Sequence, residues 1–133
     1  MKVYIRWADG AWALLVLLAA VLTACGLAAS FSFIVRSPTE AAGHGLVFIG
    51  SVAFAACAVW ASLRGRPPWV SVLTVLPAVV VGGLSVELPD GLYAHLAGLF
   101  LIPTALCAML ADLLFPGTPY ELASSLPADG PPA

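Results

Sequence analysis

Four long apolar segments, separated by short polar ones, dominate this sequence. The segments cover residues 12–35, 45–63, 69–86 and 92–115; the first three contain no charged residue, and the fourth contains only Asp112. At about 1.5 Å per residue, each would form a helix roughly 27–36 Å long, enough to cross a hydrocarbon layer of about 30 Å. Because lipid offers no hydrogen-bond partners to the backbone, such segments must be helical there. The pattern predicts four transmembrane helices.

Three polar segments that contain proline separate the apolar ones. They cover residues 36–40, 64–68 and 87–91, and proline disfavours helix at the residue that precedes it. Connections as short as these join antiparallel neighbours. The predicted fold is therefore all-α: a polytopic membrane protein built as an antiparallel four-helix transmembrane bundle with short loops. Residues 1–118 form this single domain, and residues 119–133 form a proline-rich, flexible cytoplasmic tail.

Composition narrows the range of functions. The chain is 62% hydrophobic and 9% charged, whereas soluble domains are about 45–50% apolar and about 25% charged. A soluble enzyme and a disordered protein are both poor interpretations of these values. Five Lys and Arg residues and a net charge of −2 leave no basic stripe for nucleic acid. Phosphate-binding, dinucleotide-binding and nucleophile-elbow motifs are not found in the sequence, so we assign no catalytic residue.

The distribution of basic residues predicts the orientation. Four spans place the N-terminus, the second loop and the C-terminal tail on one side of the membrane, which holds Lys2, Arg6, Arg64 and Arg66; the other side holds Arg36. The positive-inside rule then places both termini in the cytoplasm, with the chain in the plasma or inner membrane. We expect the four basic residues to contact anionic lipid headgroups. Tryptophan agrees with this sidedness, because all four are predicted at the cytoplasmic interface: Trp7, Trp12, Trp60 and Trp69.

Residues 22–25, with the sequence LTAC, resemble the lipobox of a bacterial lipoprotein signal, since they follow two basic residues and an apolar run. The resemblance implies lipidation of Cys25 and removal of residues 1–24. However, the apolar run continues past Cys25 to Val35, whereas secretory signals end soon after a short apolar region. Cleavage would also leave three spans and remove the charge bias. We therefore interpret the segment as part of an uncut first helix.

Small residues at alternating spacings of three and four indicate how the helices pack, because helices in lipid associate through close contact of small side chains. In the last three spans, this pattern selects Gly50, Ala53, Cys57, Ser71, Thr74, Ala78, Gly82, Gly98 and Ala105. In the first span, it selects Ala13, Leu17, Ala20, Ala24 and Ala28.

The two histidines are candidates for cofactor binding. His44 and His95 lie at the predicted outer ends of the second and fourth spans. If those helices were neighbours, the two imidazoles could share a haem, a metal or a quinone headgroup. The alternative is that each histidine is hydrated or bonded to a carbonyl group. No metal site and no cofactor is predicted, and haem or quinone binding stays open as the alternative.

Asp112 is the one Asp, Glu, Lys or Arg residue within a predicted span. Acids inside a membrane are costly and are therefore candidates for function. Because Asp112 lies near the cytoplasmic end of its span, we expect a structural salt bridge with Arg64 or Arg66, or a contact with the interface; a proton relay is the alternative. The three cysteines (Cys25, Cys57 and Cys107) lie in the spans without a paired motif and are expected to act as small apolar residues.

These patterns favour a non-catalytic accessory subunit that stabilises a larger membrane complex. Its expected partners are the lipid bilayer and other membrane subunits, or further copies of itself, and not nucleic acid. Two alternatives remain. A homo-oligomeric transporter or channel would use Pro77, Pro103 and the serine and threonine residues of the third span. A haem- or quinone-binding redox anchor would use His44 and His95.

Overall fold

The computed structural model describes residues 7–30, 39–88 and 92–115. These residues form four α-helices: α1 (Trp7–Ser30), α2 (Thr39–Leu63), α3 (Pro68–Glu87) and α4 (Leu92–Leu114). Each helix is long and apolar enough to cross a membrane, so the prediction of four such helices is confirmed for this part of the chain. Lys2, Arg6 and the predicted tail, residues 119–133, lie outside the described residues.

Two helices begin more than one turn earlier than the apolar segments that predicted them. Helix α1 begins at Trp7 rather than at residue 12, and so includes Asp9 in its first turn. Helix α2 begins at Thr39 rather than at residue 45 and includes Glu40. Hydropathy places a boundary at a charged residue, but an acidic side chain in the first turn is favourable to a helix because it faces the positive end of the helix dipole.

The helices form a ring in which α1 packs on α2, α2 on α3, α3 on α4, and α4 on α1. Helices α2 and α4 therefore occupy opposite corners, as do α1 and α3. Neighbours run antiparallel: Trp12 near the start of α1 bonds to Cys57 near the end of α2, while Gly26 near the end of α1 lies beside Gly43 near the start of α2. We call the end of the bundle that contains residues 64–67 the turn end.

The core consists of two clusters of buried apolar side chains. One lies toward the turn end and combines Trp12, Val16, Ala19, Ala20, Phe54, Cys57, Ala61, Val70, Ala105 and Met109. The other lies toward the opposite end and combines Leu27, Val47, Val81 and Ala94. All four helices contribute to each end of the core through these clusters or through the partly buried residues around them.

Helices α1 and α2 approach each other most closely at glycine residues. A β-carbon at Gly26 would lie 2.6 Å from the amide nitrogen of Val47 and 2.8 Å from the carbonyl oxygen of Gly43. A β-carbon at Gly43 would lie 2.9 Å from the carbonyl oxygen of Gly26. Since these atoms belong to the backbone, no side-chain rotation can relieve the contact. The distance between the two helices therefore depends on the absence of a side chain at both positions.

The residues that sequence spacing selected for packing in α2, α3 and α4 are buried or partly buried. Gly50, Cys57, Thr74, Gly98 and Ala105 are buried, and the others are partly buried: Ala53, Ser71, Ala78 and Gly82.

The packing face predicted for α1 lies only partly inside the bundle: Ala20 is buried and Ala13 packs against the core. Leu17, Ala24 and Ala28 are exposed on the outside of the bundle, whereas Trp12 and Val16 are fully buried. Because α1 carries apolar residues on every side, the spacing of small residues does not distinguish its inner face from its outer one. The larger side chains fill the space between the helices, and two of the alanines face outward.

Candidate functional site

The turn between α2 and α3 has a defined geometry that positions two arginines. Gly65 has φ +67°, a left-handed conformation that glycine adopts without the steric cost of a β-carbon. Its amide donates to the carbonyl of Ser62, and the amide of Arg66 donates to the carbonyl of Ala61, both at 3.1 Å. These two bonds form a Schellman motif, which ends α2. Pro68 then opens α3 at once, since its fixed φ suits the first helical position.

Arg66 extends from this turn into the bundle and bridges two carboxylates. One guanidinium nitrogen donates to Asp9 on α1 at 2.6 Å, and the other donates to Asp112 on α4. The side chains of Arg66 and Asp112 are 12% and 8% exposed. One side chain therefore ties the α2–α3 turn to the two helices that come from the opposite ends of the sequence.

Trp12 forms the floor of this site. The guanidinium of Arg66 lies 4.1 Å from the centroid of its ring, within the range of a cation–π interaction. The indole N–H donates to the carbonyl of Cys57 at 3.1 Å, which fixes the plane of the ring against α2. Trp12 is fully buried, so its predicted place at the lipid interface is wrong: the ring faces the arginine and the core. We call Asp9, Trp12, Arg64, Arg66 and Asp112 the Arg66 cluster.

Charge is balanced in the Arg66 cluster, with two arginines and two aspartates. Burial lowers the pKa of Arg66, and the neighbouring charge of Asp9 acts in the opposite direction and raises it. Arginine titrates so far above neutrality that its side chain stays charged here. A buried, hydrogen-bonded ion of this kind is costly to leave without its partner. The ion pairs of the Arg66 cluster therefore hold α1, α4 and the α2–α3 turn together.

The two arginines of the turn have different surroundings. The side chain of Arg64 is 33% exposed and lies 3.9 Å from the Asp9 oxygen that already accepts a bond from Arg66. Arg66 was expected at the lipid headgroups together with Arg64, but it is turned inward. Of the two arginines considered as partners for Asp112, the structure selects Arg66. Arg64 keeps the position at the surface.

The histidines occupy opposite corners of the ring. His44 lies on α2 and His95 on α4, so the premise that their helices are neighbours does not hold. The Nε2 atom of His95 lies 2.9 Å from the carbonyl oxygen of Leu27 and 3.4 Å from the hydroxyl of Ser30, both on α1. Because Nε2 donates to this carbonyl, Nε2 itself is not a metal ligand in this arrangement. Within the described ranges, no three His, Cys, Asp or Glu residues are grouped as metal ligands.

The hydroxyl groups inside the bundle bond to the backbone of their own helices. Thr23, Ser51 and Thr74 each donate to the carbonyl four residues earlier, at 2.8, 2.8 and 2.7 Å. Pro77 of α3 is also fully buried. The residues expected to line a path along α3 are therefore not on one surface, because Thr74 is in the core while Ser71 is partly exposed near Ser62.

A groove of about 380 Å³ runs along the outside of the bundle between α2 and α3. Its walls include Ala55, Val59, Ser62 and Leu63 of α2, and Ser71 and Val75 of α3. We call it the α2–α3 groove.

Comparison of the chain with protein-family models, with curated proteins and with solved structures found no match. The candidate site therefore has to be interpreted from its own residues. Sequence reasoning missed Asp9 and Trp12 as members of the Arg66 cluster. One signal was present: the two residues are three positions apart, which places them on the same side of a helix.

Proposed function

We propose that this chain is an integral membrane protein whose four helices cross the plasma or inner membrane, and that it is a non-catalytic accessory subunit of a larger membrane complex. The observation that carries the proposal is that polar groups are bonded inside the bundle, whereas its outer surface is apolar. The buried hydroxyls and the buried ions are bonded within the chain. The outer surface is apolar on all sides, which leaves it suited to lipid and to other helices.

The outer surface supports this interpretation through its large side chains. Each helix exposes them: Leu18 of α1 is 53% exposed, Phe48 of α2 61%, Val79 of α3 64% and Phe100 of α4 69%. Soluble monomers rarely expose continuous apolar patches of more than a few hundred Å². Exposing such a surface to lipid tails has no hydrophobic cost, because the tails are equally apolar. A partner helix would contact it through van der Waals packing.

The outer face of α1 is the surface we propose for the partner. Ala24, Cys25 and Ala28 are exposed there on successive turns, and small side chains allow the backbone of another helix to approach closely. A transmembrane helix of a partner subunit would pack on this face without displacing any residue of the core.

The test is purification of the tagged protein from its native membrane in a mild detergent. We expect it to elute with a defined partner polypeptide, and we expect Ala24→Phe to reduce recovery of that partner at least tenfold by preventing close approach. Val79→Phe, on the exposed side of α3, is the matched control and should retain the partner. Recovery of monomer alone from the unmodified chain, or equal recovery by both variants, contradicts the proposal.

Orientation can be tested with a pair of single cysteines. In a chain whose own cysteines are replaced by alanine, Glu87→Cys lies at the end of α3 and Arg64→Cys at the turn end. Because the positive-inside rule predicts a cytoplasmic turn end, we expect a thiol reagent that cannot cross membranes to label Glu87→Cys in intact cells. Arg64→Cys should react after lysis. The reverse pattern would place both termini outside.

A further inference from the structure

We propose that two copies of this protein pair in the membrane along the outer face of α4, and that Thr104 of each copy donates a hydrogen bond to the Leu99 carbonyl of the other. The inference requires the helices to lie in a membrane, but it does not depend on an accessory role or on the outer face of α1. It rests on a proline at the middle of α4, on the hydroxyl beside it and on the spacing of the exposed residues around them.

Pro103 leaves one carbonyl group on the outer face of α4 without its usual donor. Proline has no N–H, so the carbonyl four residues earlier, that of Leu99, has no amide to accept from at the regular helical position. Leu99 is 66% exposed, and Pro103 is exposed as well. Pro103 is also the middle residue of α4 (Leu92–Leu114). In a membrane, the Leu99 carbonyl therefore lies near the centre of the hydrocarbon layer, where lipid tails offer it no donor.

The proline inside α3 has different surroundings. Pro77 is fully buried among the helices, and irregular backbone at membrane depth is tolerated where protein covers it. The bundle covers Pro77 in this way, whereas Pro103 faces outward. Cover for the backbone beside Pro103 therefore has to come from a second molecule.

Thr104, next to Pro103, brings a donor to the same surface. It is exposed, and its hydroxyl donates to the carbonyl of Phe100 at 2.6 Å. In an α-helix, the Phe100 carbonyl also accepts the amide of Thr104 itself, so the hydroxyl can turn to another acceptor without leaving Phe100 unpaired. The outer face of α4 therefore carries both a donor and an acceptor that lacks its usual partner.

A second copy of the chain supplies both groups at the depth where they are needed. The positive-inside rule gives all copies one orientation, so two α4 helices related by a two-fold axis along the membrane normal run parallel, with Pro103 at the same depth in both. In such a pair, each contact occurs twice. Thr104 of the first copy meets Leu99 of the second, and Thr104 of the second meets Leu99 of the first.

The exposed residues of α4 have the spacing along which two parallel helices pack. They recur at alternating intervals of three and four, as positions a and d of a seven-residue repeat do. We call this set the α4 seam: Tyr93, Leu96, Phe100, Pro103, Cys107, Leu110 and Leu114. With Pro103 at d, Thr104 stands at e and Leu99 at g. These two positions flank the seam, and an e position of one helix faces a g position of its parallel partner. The repeat therefore brings together the two residues proposed to bond.

Cys107 belongs to the α4 seam, so oxidative cross-linking in native membranes tests the pair directly. Cys25→Ala retains Cys107 as its exposed cysteine, Cys107→Ala retains Cys25, and Cys57 is buried in both. Copper phenanthroline should link two copies of Cys25→Ala and should not link Cys107→Ala. Absence of the linked dimer, equal linking of both variants, or linkage of Cys107 to a different polypeptide overturns the proposal.

The hydrogen bonds are tested through the dissociation constant of the dimer, measured by sedimentation equilibrium of the purified full-length protein in detergent. Thr104→Val removes the donor with little change of shape, and Pro103→Ala returns an amide to the Leu99 carbonyl. Each variant should raise the dissociation constant roughly tenfold, the effect of losing two interhelical hydrogen bonds in an apolar setting. Thr104→Ser keeps the hydroxyl and should retain the dimer. Both positions are exposed in the single chain, so neither change removes a core contact.

Combining the two changes shows whether the donor and the acceptor are partners. Thr104→Val and Pro103→Ala remove the same two hydrogen bonds, so the double variant should lose no more than either single variant. Additive losses would mean that the hydroxyl and the Leu99 carbonyl act separately. An unchanged dissociation constant in Thr104→Val would mean that the hydroxyl makes no bond across the pair. Either result contradicts the proposal.

Discussion

Replacing Arg66 by glutamine should lower the free energy of unfolding by about 3–5 kcal/mol, the cost of removing one partner from a buried ion pair. The change leaves Asp9 and Asp112 close together with their main counter-charge missing, and it removes the cation from the face of Trp12. Chemical unfolding in detergent micelles, followed by tryptophan fluorescence, measures the loss. A lysine at the same position keeps the charge but not the fork of N–H groups. The stability of Arg66→Lys should therefore lie between that of the unmodified chain and that of Arg66→Gln.

Two further variants distinguish the contribution of the ion pairs to stability from the contribution of the shape of the turn. Arg64→Gln alters the neighbouring arginine, whose contact with Asp9 is long and partly exposed, and should cost no more than about 0.5 kcal/mol. Combining Arg66→Gln with Asp112→Asn removes both charges of the buried pair, so the double variant should lose less than the sum of the single losses. Additive losses, or an equal loss in Arg64→Gln, would show that Arg66 acts through the shape of the turn alone.

The second large effect is expected at the close contact between α1 and α2. Gly26→Ala would place a methyl group 2.6 Å from the amide nitrogen of Val47 and 2.8 Å from the carbonyl oxygen of Gly43. Because both atoms belong to the backbone, the helices have to separate, and that separation also disturbs the neighbouring contacts of Thr23 and Gly50. We expect a loss of roughly 3 kcal/mol, at the upper end of the usual cost of overpacking a core. The same unfolding measurement applies.

Gly45→Ala is the matched control for this variant. Gly45 lies on α2, two positions from Gly43, and a β-carbon there meets nothing within 4 Å. Alanine is also the better helix former, by roughly 0.5–1 kcal/mol in water, so stability should be unchanged or slightly higher. A similar loss in both variants would mean that glycine contributes flexibility to these helices, and that the close approach of α1 and α2 is not what matters.

The histidines illustrate which part of a site can be predicted from sequence. The position of each imidazole near the end of a helix followed from its place in or beside an apolar segment. Whether the two could meet depended on which helices are neighbours, and sequence spacing carries no information about that. With α2 and α4 at opposite corners, the contacts described for His95 run to Leu27 and Ser30 of α1 instead.

Hydropathy and the position of proline alone determined that this protein has four apolar helices with breaks near residues 38, 67 and 89, because backbone groups in an apolar setting have to bond within a helix. The tertiary structure decided how each helix is rotated and what the charges contact. The sequence of a helix that is apolar on every side does not indicate which face is inside. The inward position of Trp12 on α1 was therefore not predicted. The pairing of Arg66 with Asp9 and Asp112 joins residues that are distant in the sequence, and only the packed ring brings them together.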